Sequence, residues 1–220
     1  MTYTMVPSSA DLTVLINAVE TADSKASMVQ AVRALAATYD SAAIPTLIKV
    51  LGYNNPGAAV AATDGLVGLG EAAVPALLAQ LDGYNYGARA WAIRALALIQ
   101  DPRALPVLLD AARSDFALSV RRAATKGLGT IAWSKLPADQ TEAAQSDALT
   151  TLSAVLSDPE WVVRYAAVVG LQTLRAALAN SDAANAIAAS EQIAQALQTV
   201  VEQDPVPAVQ ARAQMALAQG

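Results

Sequence analysis

Ala43-Ile44-Pro45-Thr46-Leu47-Ile48, Ala73-Val74-Pro75-Ala76-Leu77-Leu78 and Ala104-Leu105-Pro106-Val107-Leu108-Leu109 are three copies of one short pattern. Their prolines lie 30 and then 31 residues apart. Self-similarity at a fixed period of this size is the mark of a repeat architecture. Each copy continues with apolar residues at helical spacing: Ile44, Leu47, Ile48 and Leu51, then Val74, Leu77, Leu78 and Leu81. Proline fits a first helical turn, where its missing N–H would have no partner anyway. Each segment therefore predicts the start of a first helix.

About a dozen residues further on, each unit carries a second apolar stripe. The predicted second helices are Gly57–Leu69, Gly87–Ile99, Ser119–Ile131, Trp161–Leu174 and Ala208–Leu217, with a degenerate copy at Ser27–Ala36. Alignment puts Leu66, Leu96, Leu128, Leu171 and Leu217 in one column and Arg89, Arg121 and Arg164 in another. Asp101-Pro102, Asp158-Pro159 and Asp204-Pro205 punctuate the turns, where an Asp-Pro pair disfavours continued helix. A lone helix pair cannot bury both apolar faces, so such pairs stack side by side. The expected fold is all-α, a HEAT-like α-solenoid of about six helix pairs in a single domain spanning residues 1–220. Its units fall at about 10–40, 41–70, 71–100, 101–133, 134–178 and 179–220. Ser134–Asp147 and Ala179–Ser190 break the period and are expected to be longer connections. The second helices are expected to form the inner, concave surface.

Composition supports helices and restricts chemistry. Hydrophobic residues are 55% of the chain, but only one is Phe, three are Trp and six are Tyr. The apolar mass is Ala, Leu and Val, which suits close-packed helices better than sheets. Net charge is −5 with no basic cluster, which argues against phosphate neutralisation and so against nucleic-acid binding. There is no cysteine and no histidine. That excludes disulfides, a thiolate nucleophile, zinc–thiolate sites, an imidazole base and the Ser-His-Asp set. It also closes the His-Glu iron chemistry of the HEAT-like deoxyhypusine hydroxylases. Gly65–Gly70 lacks the lysine and preceding strand of a phosphate-binding loop. The start of the chain lacks the basic residues of a signal peptide, and no charge-free apolar run is long enough to span a bilayer. The expected compartment is the cytoplasm.

One stretch stands out chemically. Asp82-Gly83-Tyr84-Asn85-Tyr86-Gly87-Ala88-Arg89-Ala90-Trp91-Ala92-Ile93-Arg94 follows, one unit later, Leu51-Gly52-Tyr53-Asn54-Asn55-Pro56-Gly57. Both place Tyr and Asn in the turn feeding a second helix. Turn and capping chemistry accounts for Asn54, Asn55 and Asn85. It accounts less well for Tyr53, Tyr84, Tyr86 and Trp91 in a chain so poor in aromatics. Arg89, Arg121 and Arg164 admit a structural reading, tying neighbouring turns through Asp82, Asp115 or Asp158. Asp64, Arg94 and Lys126 occupy one column of successive second helices. They read either as a solvated face or as a carboxylate flanked by two cations.

The strings GYNNPGAA, DGYNYGARAWAIRALA, DPRAL and DFALSVRRAA together resemble the phycobilin lyases of the E/F type, and within them the F-type (beta) subunits of phycocyanobilin lyases. The resemblance covers about residues 10–175 and is sharpest over Gly52–Ala97. It implies a heterodimer with an E-type lyase subunit. That heterodimer would attach a linear tetrapyrrole, phycocyanobilin, through a thioether bond to a cysteine of the apo-phycocyanin α subunit. It further implies attachment without isomerisation, because the isomerising branch uses a motif with His and Cys that this chain lacks. The pigment would be a substrate, with no tightly bound cofactor. The rival reading is a non-catalytic HEAT adaptor or chaperone for phycobilisome proteins.

On the residues themselves, Arg94 and Arg89 are candidates for the pigment's propionates and Asp64 for its pyrrole N–H groups. Tyr84, Tyr86 and Trp91 are candidates for an aromatic wall, and Tyr53, Asn85, Arg121, Trp161 and Arg164 for further substrate or partner contacts. The same cluster serves equally as an interface with the E-type subunit.

Overall fold

The computed structural model describes residues 9–82, 86–179 and 184–219, and all regular structure among them is helical. Twelve α-helices form six consecutive pairs: α1 (Ser9–Glu20) with α2 (Lys25–Ala36), α3 (Ile44–Leu51) with α4 (Pro56–Leu69), and α5 (Val74–Ala79) with α6 (Tyr86–Ile99). They continue with α7 (Leu105–Ser114) and α8 (Leu118–Gly129), α9 (Ala138–Val155) and α10 (Trp161–Leu178), and α11 (Ala184–Gln203) and α12 (Pro207–Ala218). The expected all-α repeat fold is the one observed.

Each of the three aligned prolines occupies the first turn of its helix, Pro45 in α3, Pro75 in α5 and Pro106 in α7. A short 3₁₀ turn precedes each one: Ser41–Ala43, Gly70–Ala73 and Pro102–Ala104. Aspartate starts two of these turns. Asp40 accepts the Ala42 N–H at 2.9 Å and Asp101 that of Arg103 at 2.9 Å. In the remaining turn Gly70 adopts φ 58°, a left-handed conformation natural to glycine. Gly70 and Pro75 also divide the apolar stretch 56–79 into α4, a turn and α5, so it is no continuous span.

The chain divides into two compact units, Met1–Ile99 and Gln100–Gly220. In the first, α2, α4 and α6 pack side by side, and Leu35, Leu47, Leu51, Leu66, Leu77, Ile93 and Leu96 are wholly buried. In the second, α10 packs between α8 and α12 over Leu108, Leu128, Leu152, Leu171 and Leu174. The aligned leucine column is thus the centre of the core in four second helices. In α12, which packs on α10 and α11, Leu217 is half-buried.

Two expectations about connections do not hold. Residues 138–147 are the first half of α9, and 184–190 belong to α11. Their polar and Ala-rich composition carries no apolar stripe because the first half of α9 is largely exposed. The expected positions 180–183 lie outside the described residues.

Candidate functional site

The recurrent arginines are held in a repeated clamp. Three residues before α8 and α10, Asp115 and Asp158 fold back to accept a backbone N–H, from Ala117 at 3.0 Å and Glu160 at 2.8 Å. Three residues before α12, Asp204 accepts that of Val206 at 2.9 Å. Arg121 donates from Nη1 to the Asp115 carbonyl at 3.0 Å and reaches forward with Nε and Nη2 to the Asp158 carboxylate, at 2.7 and 3.1 Å. Arg164 repeats this one unit later, on the Asp158 carbonyl at 2.9 Å and on Asp204 at 2.7 and 3.0 Å. Gln210 occupies the same column of α12 and donates to the Asp204 carbonyl at 2.8 Å.

Such two-pronged guanidinium–carboxylate pairs are the strong form of ion pair, and these are mostly shielded from water. Burial pushes the Asp158 carboxyl up, but the hydrogen bond from Arg121 and the nearby positive charge outweigh it and hold the group below its ordinary value. The hydrogen bond from Arg164 does the same for Asp204. The structural reading of Arg121 and Arg164 therefore holds, with one correction. Each reaches the aspartate of the following turn as well as the backbone of its own, so Asp204 joins Asp158 as a carboxylate partner.

In the first unit Asn55 supplies a neutral tie. Asn55 accepts the Ala58 N–H at 3.3 Å as the N-cap of α4 and donates from Nδ2 to the Lys25 carbonyl at 3.0 Å. Turn chemistry thus explains Asn55. Beside it, Tyr53 and Asn54 line a shallow recess with Asp23, Ser24, Lys25 and Met28.

The charges on the second-helix face of the first unit are differently disposed. Arg33 of α2, Asp64 of α4 and Arg94 of α6 occupy the same position of three adjacent helices, and all three are exposed. Among the described residues none of the three forms an ion pair through its side chain. Arg94 lies over the Trp91 ring, 5.6 Å from its centroid, a cation–π distance. Trp91 is half-buried and Tyr86, the first residue of α6, is 66% exposed. Arg89 is half-buried one turn along the same helix. Tyr84 and Asn85 lie outside the described residues.

The predicted row thus begins one unit earlier than its sequence reading, at Arg33. Arg33 and Asp64 line an open groove of about 240 Å³ together with Ala36, Ala37, Tyr39, Val60, Ala61 and Gly65. The sequence signal for Arg33 is its place in the degenerate copy Ser27–Ala36, two residues before Leu35 as Asp64 is before Leu66 and Arg94 before Leu96. Nothing in the sequence marks Tyr39.

In the second unit the corresponding face carries Arg122 and Lys126 on α8, Trp161 and Tyr165 on α10, and Met215 on α12, all exposed. Trp161 is 44% and Tyr165 37% exposed. Among the described residues no three His, Cys, Asp or Glu side chains cluster as metal ligands would.

HEAT repeats match residues 54–129 and 74–172, and the HEAT-like repeat of phycobilisome lyases matches residues 29–53. The phycocyanin alpha phycocyanobilin lyase CpcF of Synechocystis sp. is 56% identical over 191 residues, 87% of this chain and 86% of that protein. The phycocyanobilin lyase subunit beta of Nostoc sp. is 59% identical over 160 residues, 73% of this chain and 80% of that one. The chain belongs to the F-type phycocyanobilin lyase subunits. The solved complex of CpcE and CpcF of the phycocyanin lyase from Nostoc sp. contains a chain that matches this one with a TM-score of 0.72 and 52% identity, over 80% of this chain and 99% of that one. For an F-type subunit, the paired turn arginines of the second unit are framework. Arg33, Asp64 and Arg94 of the first unit have no such ion-pair partner among the described residues.

Proposed function

We infer that this chain is one subunit of a two-subunit lyase that joins phycocyanobilin to a cysteine of the phycocyanin α subunit, with an E-type subunit as its partner. Its membership among the F-type lyase subunits carries the reading. The chemistry is compatible with a chain that has neither Cys nor His. The nucleophile is the acceptor's own thiol. Its sulfur adds to an exocyclic double bond on a terminal pyrrole ring, a C–S bond forms as the π bond breaks, and a proton goes to the neighbouring carbon. No electrons are gained or lost overall.

What the lyase must supply is a fixed orientation of pigment and acceptor, and orientation alone is worth several powers of ten in rate. In this reading Arg94, assisted by Arg89, takes the propionates. Asp64 accepts pyrrole N–H hydrogen bonds and stabilises the protonated, more electrophilic pigment, while Trp91, Tyr86 and Tyr84 wall it. Arg94 is held for this role by Trp91 and by no carboxylate among the described residues. The pigment is substrate, with no resident cofactor invoked. The absence of cysteine fits a reducing, cytoplasmic setting.

Co-expression with the E-type subunit, apo-phycocyanin α and the bilin gives acceptor that stays coloured after denaturation. Asp64→Asn and Arg94→Ala each lower that yield at least tenfold while the two subunits still co-purify. Loss of co-purification instead would place these residues at the subunit interface. Uncoloured acceptor from the wild-type pair would favour the adaptor reading.

A further inference from the structure

Tyr39 is one of two non-glycine residues among the described ones with positive φ, at 51°. Tyrosine rarely adopts left-handed backbone, and such strain persists where the surroundings impose it. Here it directs the ring across α4. A Cβ built on Gly68 would come within 2.6 Å of the Tyr39 Cε1, so the missing side chain at 68 is what leaves the ring its place. Tyr39 is nonetheless 67% exposed, so it contributes little to the core. One turn earlier, a Cβ on Gly65 would meet the Ala36 Cβ at 2.6 Å, and this close approach of α2 and α4 forms the groove floor.

Along that groove stand a guanidinium, Arg33, and a carboxylate, Asp64. They are opposite in sign and line one groove, yet neither binds the other or any other charged side chain among the described residues. The second unit's arginines show how readily this fold pairs such groups when their role is structural.

We propose that the groove between α2 and α4 seats one propionate-bearing pyrrole ring of the bilin, with Arg33 on the propionate, Asp64 on the ring N–H and Tyr39 against the ring face. A pyrrole of this kind offers in one small unit an anion, an N–H donor and a flat apolar surface, the three features the groove answers. At about 240 Å³ the groove falls below the roughly 300–1,000 Å³ of sites that enclose a whole drug-sized ligand. It therefore holds one end of the tetrapyrrole and leaves the remainder to extend towards α6. Arg33 and Tyr39 are pigment-binding residues, and the inference rests on the lyase reading.

The test is bilin affinity of the complex with the E-type subunit, read from the pigment's absorbance change. Arg33→Gln weakens binding of the free-acid pigment about five- to tenfold, the scale of a partly exposed charge-assisted contact. It has a smaller effect on the dimethyl ester, whose propionates carry no charge. Tyr39→Asn keeps a residue that tolerates left-handed backbone, so the melting temperature holds while affinity drops. Gly68→Ala favours the helix yet displaces the ring, so affinity drops with no loss of stability. Wild-type affinity in Arg33→Gln and Tyr39→Asn, with coloured acceptor still formed, would overturn the groove assignment alone. Equal losses by Arg33→Gln for acid and ester would likewise remove Arg33 from the propionate. Failure of the wild-type complex to colour the acceptor would overturn the lyase reading itself.

Discussion

Asp204 and Asp101 show how differently two carboxylates in one unit can count. Both carboxylates are nearly buried, but the Arg164 side chain on Asp204 is itself 10% exposed, whereas the Arg103 side chain on Asp101 is 49% exposed. Hydrogen bonds to shielded charged groups contribute more than pairs open to water. Asp204→Asn, which keeps the acceptor for the Val206 N–H, should destabilise by about 2 kcal/mol. Asp101→Asn should cost under about 1 kcal/mol. Urea unfolding of both variants checks the ordering, and equal costs would remove the clamp from the list of stabilising features. The arginine column itself was legible because repeats place equivalent residues at equivalent positions. The carboxylate partners were only partly so, since Arg121 and Arg164 pair with residues 37 and 40 positions away. A one-dimensional reading favours the nearest aspartate in the same turn. Tyr39 was invisible for a related reason: its position depends on a backbone angle and on the emptiness of Gly68, neither of which has a sequence signature.

At the level of helices, α8 and α10 approach through glycine. A Cβ on Gly129 would sit 2.4 Å from the Gly170 carbonyl oxygen and 2.5 Å from its Cα, contacts with backbone that cannot rotate away. Gly129→Ala should therefore cost roughly 2–3 kcal/mol as overpacking, despite the helix propensity of about 1 kcal/mol that alanine would otherwise add. Gly57 in α4 is the milder case, because a Cβ there meets one methyl of the half-buried Val29 side chain at 3.0 Å, which needs to give by only a few tenths of an ångström. Gly57→Ala should be near neutral in the same thermal melts. If Gly129→Ala were equally neutral, the close crossing of these helices would be wrong. Five of the second helices were readable to within a residue at their starts, four of them because a proline, an asparagine or an Asp-Pro turn stands ahead of the apolar stripe, while the degenerate copy begins two residues before its read start. α9 and α11 were not, since a helix whose first half faces water shows no periodicity from which to read it.

Over the whole chain, the ties between successive pairs change character. Among the ties described in the first unit are a neutral amide, Asn55 on the Lys25 carbonyl, and the glycine contact of α4 with α2. The second is fastened by ionised clamps, Arg121 on Asp158 and Arg164 on Asp204. Both carboxyls are held below their unfolded value of about 3.9. A depressed carboxyl contributes stability that is fully present above its unfolded pKa and disappears as pH falls through the folded one. Acid should therefore loosen the second unit selectively. In hydrogen exchange between pH 5 and pH 3, corrected for the intrinsic rate, amides of α10 and α12 should lose protection before those of α2 and α4. Asp204→Asn should flatten that pH dependence for α12 while lowering its protection at neutral pH. Simultaneous loss in both units, or earlier loss in α2 and α4, would mean that the clamps are not what sets the acid limit.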